Sequence, residues 1–333
     1  MSAPSPHLFN ELHWSYWRTK AFVSALQLDV FTELAKGPAD ATELTARLGL
    51  RAAQARDLLD ALVAMGLLER GSSHYGNTAE SDHYLDRNKP HTYLGDVMLN
   101  EAATLGADIT AAVRDGRSRE DASTAQEFYA NTYADAERAR SFQRAMTALS
   151  FTSGAALAKR LPWERYRTFV DVGCAEGAVG VHVLRRHPHL TGIGFDLPEA
   201  RGGFESYAAE HEVAGRAEFR GGNFLAEPLP AADVVILGHV LHNWDLDVKR
   251  ELLRKAHQAL HPDGMVVVYE ALIDDDRKRN TVGLLMSLMM HLSLPGGFDF
   301  TASDCVGWLR DAGFRSVRAE HLAGPESMMV GIR

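Results

Sequence analysis

The sequence predicts an α/β protein: a doubly wound sheet in the second half of the chain, behind an N-terminal, mainly helical, winged-helix unit. Three observations predict it. From Thr168 onward, short β-branched and apolar runs alternate with segments of helical period, the pattern of parallel strands joined by crossover helices. The first run ends in the small-residue stretch VDVGCAEGAVG at 170–180. Earlier, two helix-period segments separated by Gly49 lead into two short strand-like runs.

A length of 333 residues suggests two domains. Apolar residues at 46% and charged residues at 24% are ordinary for globular chains, so neither a disordered nor a fibrous class applies. Cys174 and Cys305 are too few for a disulfide framework, and neither stands with histidines at metal-binding spacing. A cytoplasmic setting is expected. The net charge of −9 argues against a general nucleic-acid binder. No 18-residue apolar run and no signal-like N-terminus occurs, so no membrane partner is expected.

Taken in order, residues 8–36 are predicted helical. Leu12, Tyr16, Phe22, Val23, Leu26, Val30, Phe31 and Leu34 recur at three- and four-residue steps, and Gly37-Pro38 ends the run. Trp14 and Trp17 extend this face or meet a partner chain. ATELTARLGL, RAAQARDLLDALVAMGLLER and SSHYGNTAESDHYL then read as helix, turn, helix and two strands, the winged-helix order. DNA recognition would place the second helix in a groove. Asp57, Asp60 and Glu69 dilute Arg51, Gln54 and Arg56 there, so a structural or dimerising use is predicted. Residues 95–165 stay helical, with a polar break at 114–123. Phe142, Met146 and Leu149 share one helical face, which on periodicity alone reads as core.

The stretch at 168–187 is strand, tight turn and helix. A second buried run, TGIGFDL, ends in Asp196, 19 residues beyond Gly177. An acid at roughly 20 residues is the one that holds ribose hydroxyls. Ala175 and Ala178 break the G-x-G-x-x-G of a pyrophosphate site, and no Lys-Ser/Thr pair follows. A ligand with a ribose but no phosphate, such as S-adenosylmethionine (SAM), fits the loop; a plain tight strand–helix connection would use glycines too. Helix 199–213, strands 217–222 and 232–241, and a helix from Asp245 to about His261 follow. Strand 264–273, a Met-rich helix 281–293, helix 302–312 and two strands close the chain. Asp171, Asp196, Asn223, His242 and Glu270 all fall at or just past the carboxyl ends of predicted strands, the rim where such sheets bind ligands.

VDVG at 170–173, FDLP at 195–198, LHNWD at 241–245, a strand ending in Glu270, and PGG at 295–297 before Thr301 resemble, as an ordered set, the SAM-dependent small-molecule O-methyltransferases. These are the plant caffeate and flavonoid enzymes and their bacterial antibiotic-tailoring relatives. The resemblance covers nearly the whole chain. It implies a dimerising winged-helix-like domain (1–100), a helical connector contributing to the substrate pocket (101–165) and a Rossmann-like SAM-binding domain (166–333). By position it implies cofactor contacts at Gly173, Asp196, Leu197, Asn223, Phe224, Gly238 and Trp244. It also implies an acceptor pocket at Phe142, Met146, Leu149, Met286 and Met290, in place of plain core.

His242 matches the family's general base, and Glu270 and Asp299 match the acids bracketing it. Four departures stand out: Cys174-Ala175 for the usual Gly-Gly, Asn223 for Asp, Asp299 for Glu, and Gly238 where many relatives carry Ser or Lys. A fifth is Leu294, where some plant enzymes carry Asn.

A phenol near pKa 10 is mostly protonated at pH 7, so a positioned base helps transfer by about 10²–10⁴-fold. Histidine suits this because it titrates near working pH. The adaptable Met-rich walls imply a flat aromatic or polyketide-like acceptor. The expected activity is a homodimeric, SAM-dependent O-methyltransferase without a catalytic metal. Alternatives are N- or C-methylation, a relative that keeps the SAM site but performs decarboxylation, hydroxylation or cyclisation, and a winged-helix regulator that senses SAM. His257 and His261 have i,i+4 spacing but no acid between them, and read as solvated helix-end residues. His182, His187 and His189 read as surface.

Overall fold

Strands buried on both faces build the second half of the molecule. In the computed structural model, which describes residues 5–89, 92–104, 109–115 and 124–333, the chain divides into two units, Met1–Gly106 and Ala107–Arg333. The polar break expected at 114–123 lies, from 116 onward, outside the described residues.

The first unit runs α1 (His7–Gln27), α2 (Val30–Leu34), β1 (Ala39–Asp40), α3 (Ala41–Arg47), α4 (Ala52–Ala64), β2 (Leu68–Gly71), β3 (His74–Asn77), α5 (Ala79–Leu85) and α6 (Gly95–Thr104). Asp40 and Glu43 form a reciprocal capping box that starts α3. The strands pair antiparallel in the order β1-β3-β2. Ala25, Leu26, Val30, Phe31, Leu34, Leu44, Leu59, Leu62 and Leu68 form its core. The N-terminal half of α1 differs: Leu8, Phe9, Leu12, Trp14, Tyr16 and Trp17 are all exposed.

The second unit runs α7 (Ile109–Asp115), α8 (Ala125–Ala134), α9 (Ala136–Arg160), β4 (Thr168–Val172), α10 (Ala178–Arg186), β5 (Thr191–Asp196), α11 (Arg201–Glu210), β6 (Ala217–Gly221), β7 (Ala232–Gly238), α12 (Leu246–Ala259), β8 (Leu260–Glu270), α13 (Thr281–Ser293), α14 (Ala302–Asp311), β9 (Arg315–Ala323) and β10 (Glu326–Ile332). Its sheet has the order β6-β5-β4-β7-β8-β10-β9. Five strands are parallel, as the alternation predicts. The closing pair is antiparallel, with β10 inserted between β8 and β9. Only Gly324-Pro325 separates β9 from β10, far too short for a crossover and enough for a hairpin.

Alternate residues of each central strand face opposite layers. Phe169, Val234, Ile236, Met265 and Val267 pack in one core cluster with residues of α9, α10 and α11. Val170, Val172, Val235, Leu237, Val266 and Val268 pack in the other with residues of α12, α13 and α14. The chain moves outward from β4 through β5 to β6, then returns to β7 on the other side of β4. The crevice between the loops after β4 and β7 is therefore the switch point where doubly wound sheets take ligands.

Candidate active site

The loop after β4 turns through left-handed backbone at Gly173 (φ +70°), Ala175 (φ +49°) and Gly177 (φ +81°). A Cβ on Gly177 would lie 2.6 Å from the Phe204 ring, and one on Gly173 would lie 2.9 Å from Val240 of the β7 loop. Glycine is thus required at both positions by conformation and by space. Ala175 adopts the same region with a methyl group and points its amide at Asp196: its N–H donates to Asp196 Oδ2 at 2.8 Å. The Leu197 N–H donates to Asp196 Oδ1 at 2.7 Å. Burial pushes the Asp196 carboxyl up to about 6, against the pull of those two amides. Asp171, on the neighbouring strand, is pushed by burial to about 7.

Past β6, Asn223 Oδ1 accepts from the Leu225 N–H at 2.9 Å, and the Asn223 N–H donates to Glu227. Phe224 stands edge-on to Trp244 at 5.7 Å between ring centroids. Trp244 is buried, and its indole N–H has no partner among the described residues. Tyr129 of α8 lies 6.0 Å from Trp244 and 6.0 Å from Phe142. It packs against both core clusters and was not singled out in the sequence.

Gly238 ends β7 directly opposite Tyr269 of β8. A Cβ there would sit 2.0 Å from the Tyr269 ring. Any side chain at 238 would therefore require the Tyr269 ring to move.

His242 occupies a short 3₁₀ turn (Leu241–Asn243) and is buried. Its Nδ1 lies 3.3 Å from Asp299 Oδ1 and 3.6 Å from Glu270 Oε2. Burial pulls its pKa down, but Glu270 and Asp299 outweigh that and the net shift is upward. Glu270 is fully buried at the end of β8, and its Oε1 accepts from the Leu241 and His242 N–H groups at 3.0 and 3.4 Å. Asp299 is positioned by its own N–H, which donates to Ser287 of α13, and by Phe298, whose N–H donates to the His242 carbonyl at 2.8 Å. The acids predicted from the sequence therefore do converge on the predicted histidine.

The expected pocket walls are placed less uniformly. Phe142 packs against the first core cluster and Met286 and Met289 against the second, while Met290 and Leu294 belong to that second core outright. Met146 is half-buried and Leu149 is exposed, both on α9. His182 is corrected from surface to partly buried: it packs edge-on against Phe151 at 4.6 Å, and burial lowers its pKa to about 4. His187 likewise reaches the Ala158 carbonyl at 2.7 Å.

The cluster contains three groups that the motif reading missed: His239, Glu326 and Lys249. His239 lies 3.6 Å from Glu270 Oε2 through Nδ1 and 2.8 Å from Glu326 Oε1 through Nε2. Lys249 is completely buried, bonded to the Trp244 carbonyl and 3.4 Å from the Phe298 ring centroid. The detectable signal was His-x-x-His just past a buried strand. His239, His242 and Glu270 each offer a ligand atom within 4.8 Å of the others, a spacing a metal ion can bridge. The pairing of each imidazole with a carboxylate makes an acid–base network the simpler description.

A doubly wound sheet with a glycine turn, a buried acid and a histidine–carboxylate cluster at its carboxyl rim has the architecture of a ligand-binding α/β domain. Comparison with known proteins makes this specific. Residues 107–315 match the O-methyltransferase domain and residues 10–87 the O-methyltransferase dimerisation domain. The chain belongs to this family of SAM-dependent methyltransferases. It is 41% identical to the tetracenomycin polyketide synthesis 8-O-methyl transferase TcmO of Streptomyces glaucescens, over 96% of this chain and 95% of that protein. It is 35% identical to the N,N-dimethyltransferase OxyT of Streptomyces rimosus, over 94% and 91% of the two chains. Human N-acetylserotonin methyltransferase, solved with SAM, superposes with a TM-score of 0.89 at 25% identity, covering 100% of this chain and 99% of that one. No helix among the described residues is long and apolar enough to cross a membrane.

Proposed function

We propose that this chain is a homodimeric O-methyltransferase acting on a hydroxyl of a polycyclic aromatic, polyketide-like molecule, with His242 as general base. The observation that carries the reading is the convergence of Asp299 and Glu270 on His242 Nδ1 at 3.3 and 3.6 Å. The similarity to TcmO supports the acceptor class.

SAM, when bound, supplies an electrophilic methyl group. The Asp196 carboxylate, with two backbone amides already on it, keeps lone pairs for the ribose hydroxyls. Gly173 and Leu197 would lie against the cofactor beside that acid, and Asn223, Phe224 and Trp244, the two rings 5.7 Å apart, would take its adenine. The unpartnered Trp244 indole N–H fits a site that takes a polar ligand. With Nδ1 turned to the carboxylates, Nε2 is the His242 nitrogen left to take the acceptor's proton. Asp299 and Glu270 then stabilise the imidazolium, Asp299 at the shorter distance. Phe142, Met146, Leu149, Met286 and Met290 would contribute apolar contacts to the acceptor. The winged-helix-like first unit serves dimerisation in this reading, its α1 exposing Leu8, Phe9, Leu12, Trp14, Tyr16 and Trp17.

The test is transfer from methyl-labelled SAM to a panel of polycyclic phenols. His242→Ala is expected to lower the rate by about 10²–10⁴-fold; a variant at full rate removes the base role. A calorimetric titration with S-adenosylhomocysteine that gives no heat would remove the nucleoside site itself. OxyT, similar over nearly the whole chain, makes amine methylation the second reading, and acceptors carrying only amino groups in the same panel separate the two.

A further inference from the structure

We propose that His239, held by Glu326, is a positioning residue that shares the Glu270 carboxylate with His242 and acts on methyl transfer only through that base. The proposal rests on the reading of His242 as general base and deepens it.

Glu270 has two oxygens with different surroundings. Oε1 accepts the Leu241 and His242 amides. Oε2 accepts no hydrogen bond among the described residues, although the side chain is fully buried. It lies 3.6 Å from His242 Nδ1 and 3.6 Å from His239 Nδ1. One carboxylate oxygen thus stands between two imidazoles whose ring centroids are 5.7 Å apart. On the far side of His239, Nε2 meets Glu326 Oε1 at 2.8 Å, and Glu326 Oε2 accepts the Ser153 hydroxyl from α9.

The backbone at His239 is also special. Its φ of +52° lies in the left-handed region, which a non-glycine residue holds only when its surroundings enforce it. Here the His239 N–H donates to the Tyr269 carbonyl at 3.2 Å, and Asn243 Nδ2 donates to the His239 carbonyl at 2.9 Å.

A base must be unprotonated when the acceptor arrives. Glu270 and Asp299 both favour the charged form of His242, which takes up no further proton, and burial opposes them. A cation on His239 opposes them as well. The groups around this pair are Glu270 and Tyr269 from β8, Glu326 from β10, Asp299 from the loop before α14, and Lys249 from α12. Burial opposes the charge on His239, but Glu326 and Glu270 more than offset it and raise its pKa to about 9. At neutral pH the cation is therefore in place. Its effect on His242 is to lower that residue's proton affinity.

The experiment is an ¹⁵N-imidazole NMR titration of the full chain saturated with S-adenosylhomocysteine, in wild type, His239→Asn and Glu326→Gln. Asparagine is chosen because it tolerates left-handed backbone. In wild type, His239 is expected to stay protonated to near pH 9. In His239→Asn, the His242 midpoint should rise by about one unit. In Glu326→Gln, the His239 midpoint should fall. S-adenosylhomocysteine affinity should not change in either variant, which separates this result from failure of the nucleoside site. A His239 signal that titrates near 6.5 in wild type overturns the proposal. So does an unmoved His242 midpoint in a His239→Asn protein that still binds S-adenosylhomocysteine. Should His239→Asn not fold, the Glu326→Gln titration decides.

Discussion

A charged side chain withdrawn from solvent at a strand end must find its partners within a few ångströms or lose its charge, and His239, 17% exposed, shows both sides of that rule. Burial alone would keep the imidazole neutral; Glu326 at 2.8 Å and Glu270 at 3.6 Å raise its pKa from 6.5 to about 9. A raised histidine pKa stabilises the fold fully below the unfolded value of 6.5, and the contribution is lost as pH rises through 9. Its upper bound is about 3 kcal/mol. The melting-temperature gap between wild type and His239→Asn should therefore be widest at or below pH 6.5 and shrink towards pH 9.5. A gap independent of pH would mean that the histidine is held for its shape alone. At this scale His242 and Glu270 were legible because each stands at or just past the end of a recognisable strand, whereas Asp299 was suggested only by the family resemblance. His239 and Glu326 were not legible, because their meeting depends on which strand β10 lies beside.

Elements are set by small residues at close approaches. Gly177 ends the turn after β4 with φ +81° and the Phe204 ring 2.6 Å from where a Cβ would be. Gly177→Ala combines left-handed strain of about 1–2 kcal/mol with overpacking of about 1–3 kcal/mol. It should lower the denaturation midpoint and weaken S-adenosylhomocysteine binding together. Ala175→Gly, two residues earlier, relieves the same kind of strain where no collision is at stake, and should change stability by less than about 1 kcal/mol. Equal effects from the two substitutions, read by urea denaturation, would show that Phe204 gives way freely. The helices and parallel strands were readable because buried strands run as β-branched stretches bounded by glycine and acid. The antiparallel hairpin at the end was readable only as two strands. The insertion of β10 between β8 and β9 is a tertiary choice, made by pairing Met328, Met329 and Val330 with Tyr269, Val268 and Val267. The pocket walls were ambiguous for a related reason: Met290 packs in the second core cluster, and helical spacing alone does not show whether it also lines a ligand.

For the molecule as a whole, the exposed half of α1 matters most. Phe9 is 71% exposed and Trp17 57%, within or beside the segment that matches the family's dimerisation domain at 10–87. Side chains of this size are worth about 1.5–3 kcal/mol each when buried. In a twofold dimer every substitution occurs on both sides of the interface. Phe9→Ser with Trp17→Ser therefore removes four aromatic groups from the assembly, on the order of 6 kcal/mol or about 10⁴ in Kd. Neither side chain belongs to the core of the first unit, which is built from Leu26, Phe31, Leu44, Leu59 and Leu62, so the doubly substituted chain should keep its far-UV circular dichroism. Light scattering should find wild type as a dimer and the double variant as a monomer. A wild type that runs as a monomer at micromolar concentration would leave this apolar face without the partner proposed for it, and a double variant that stays dimeric would place the contact elsewhere on the chain.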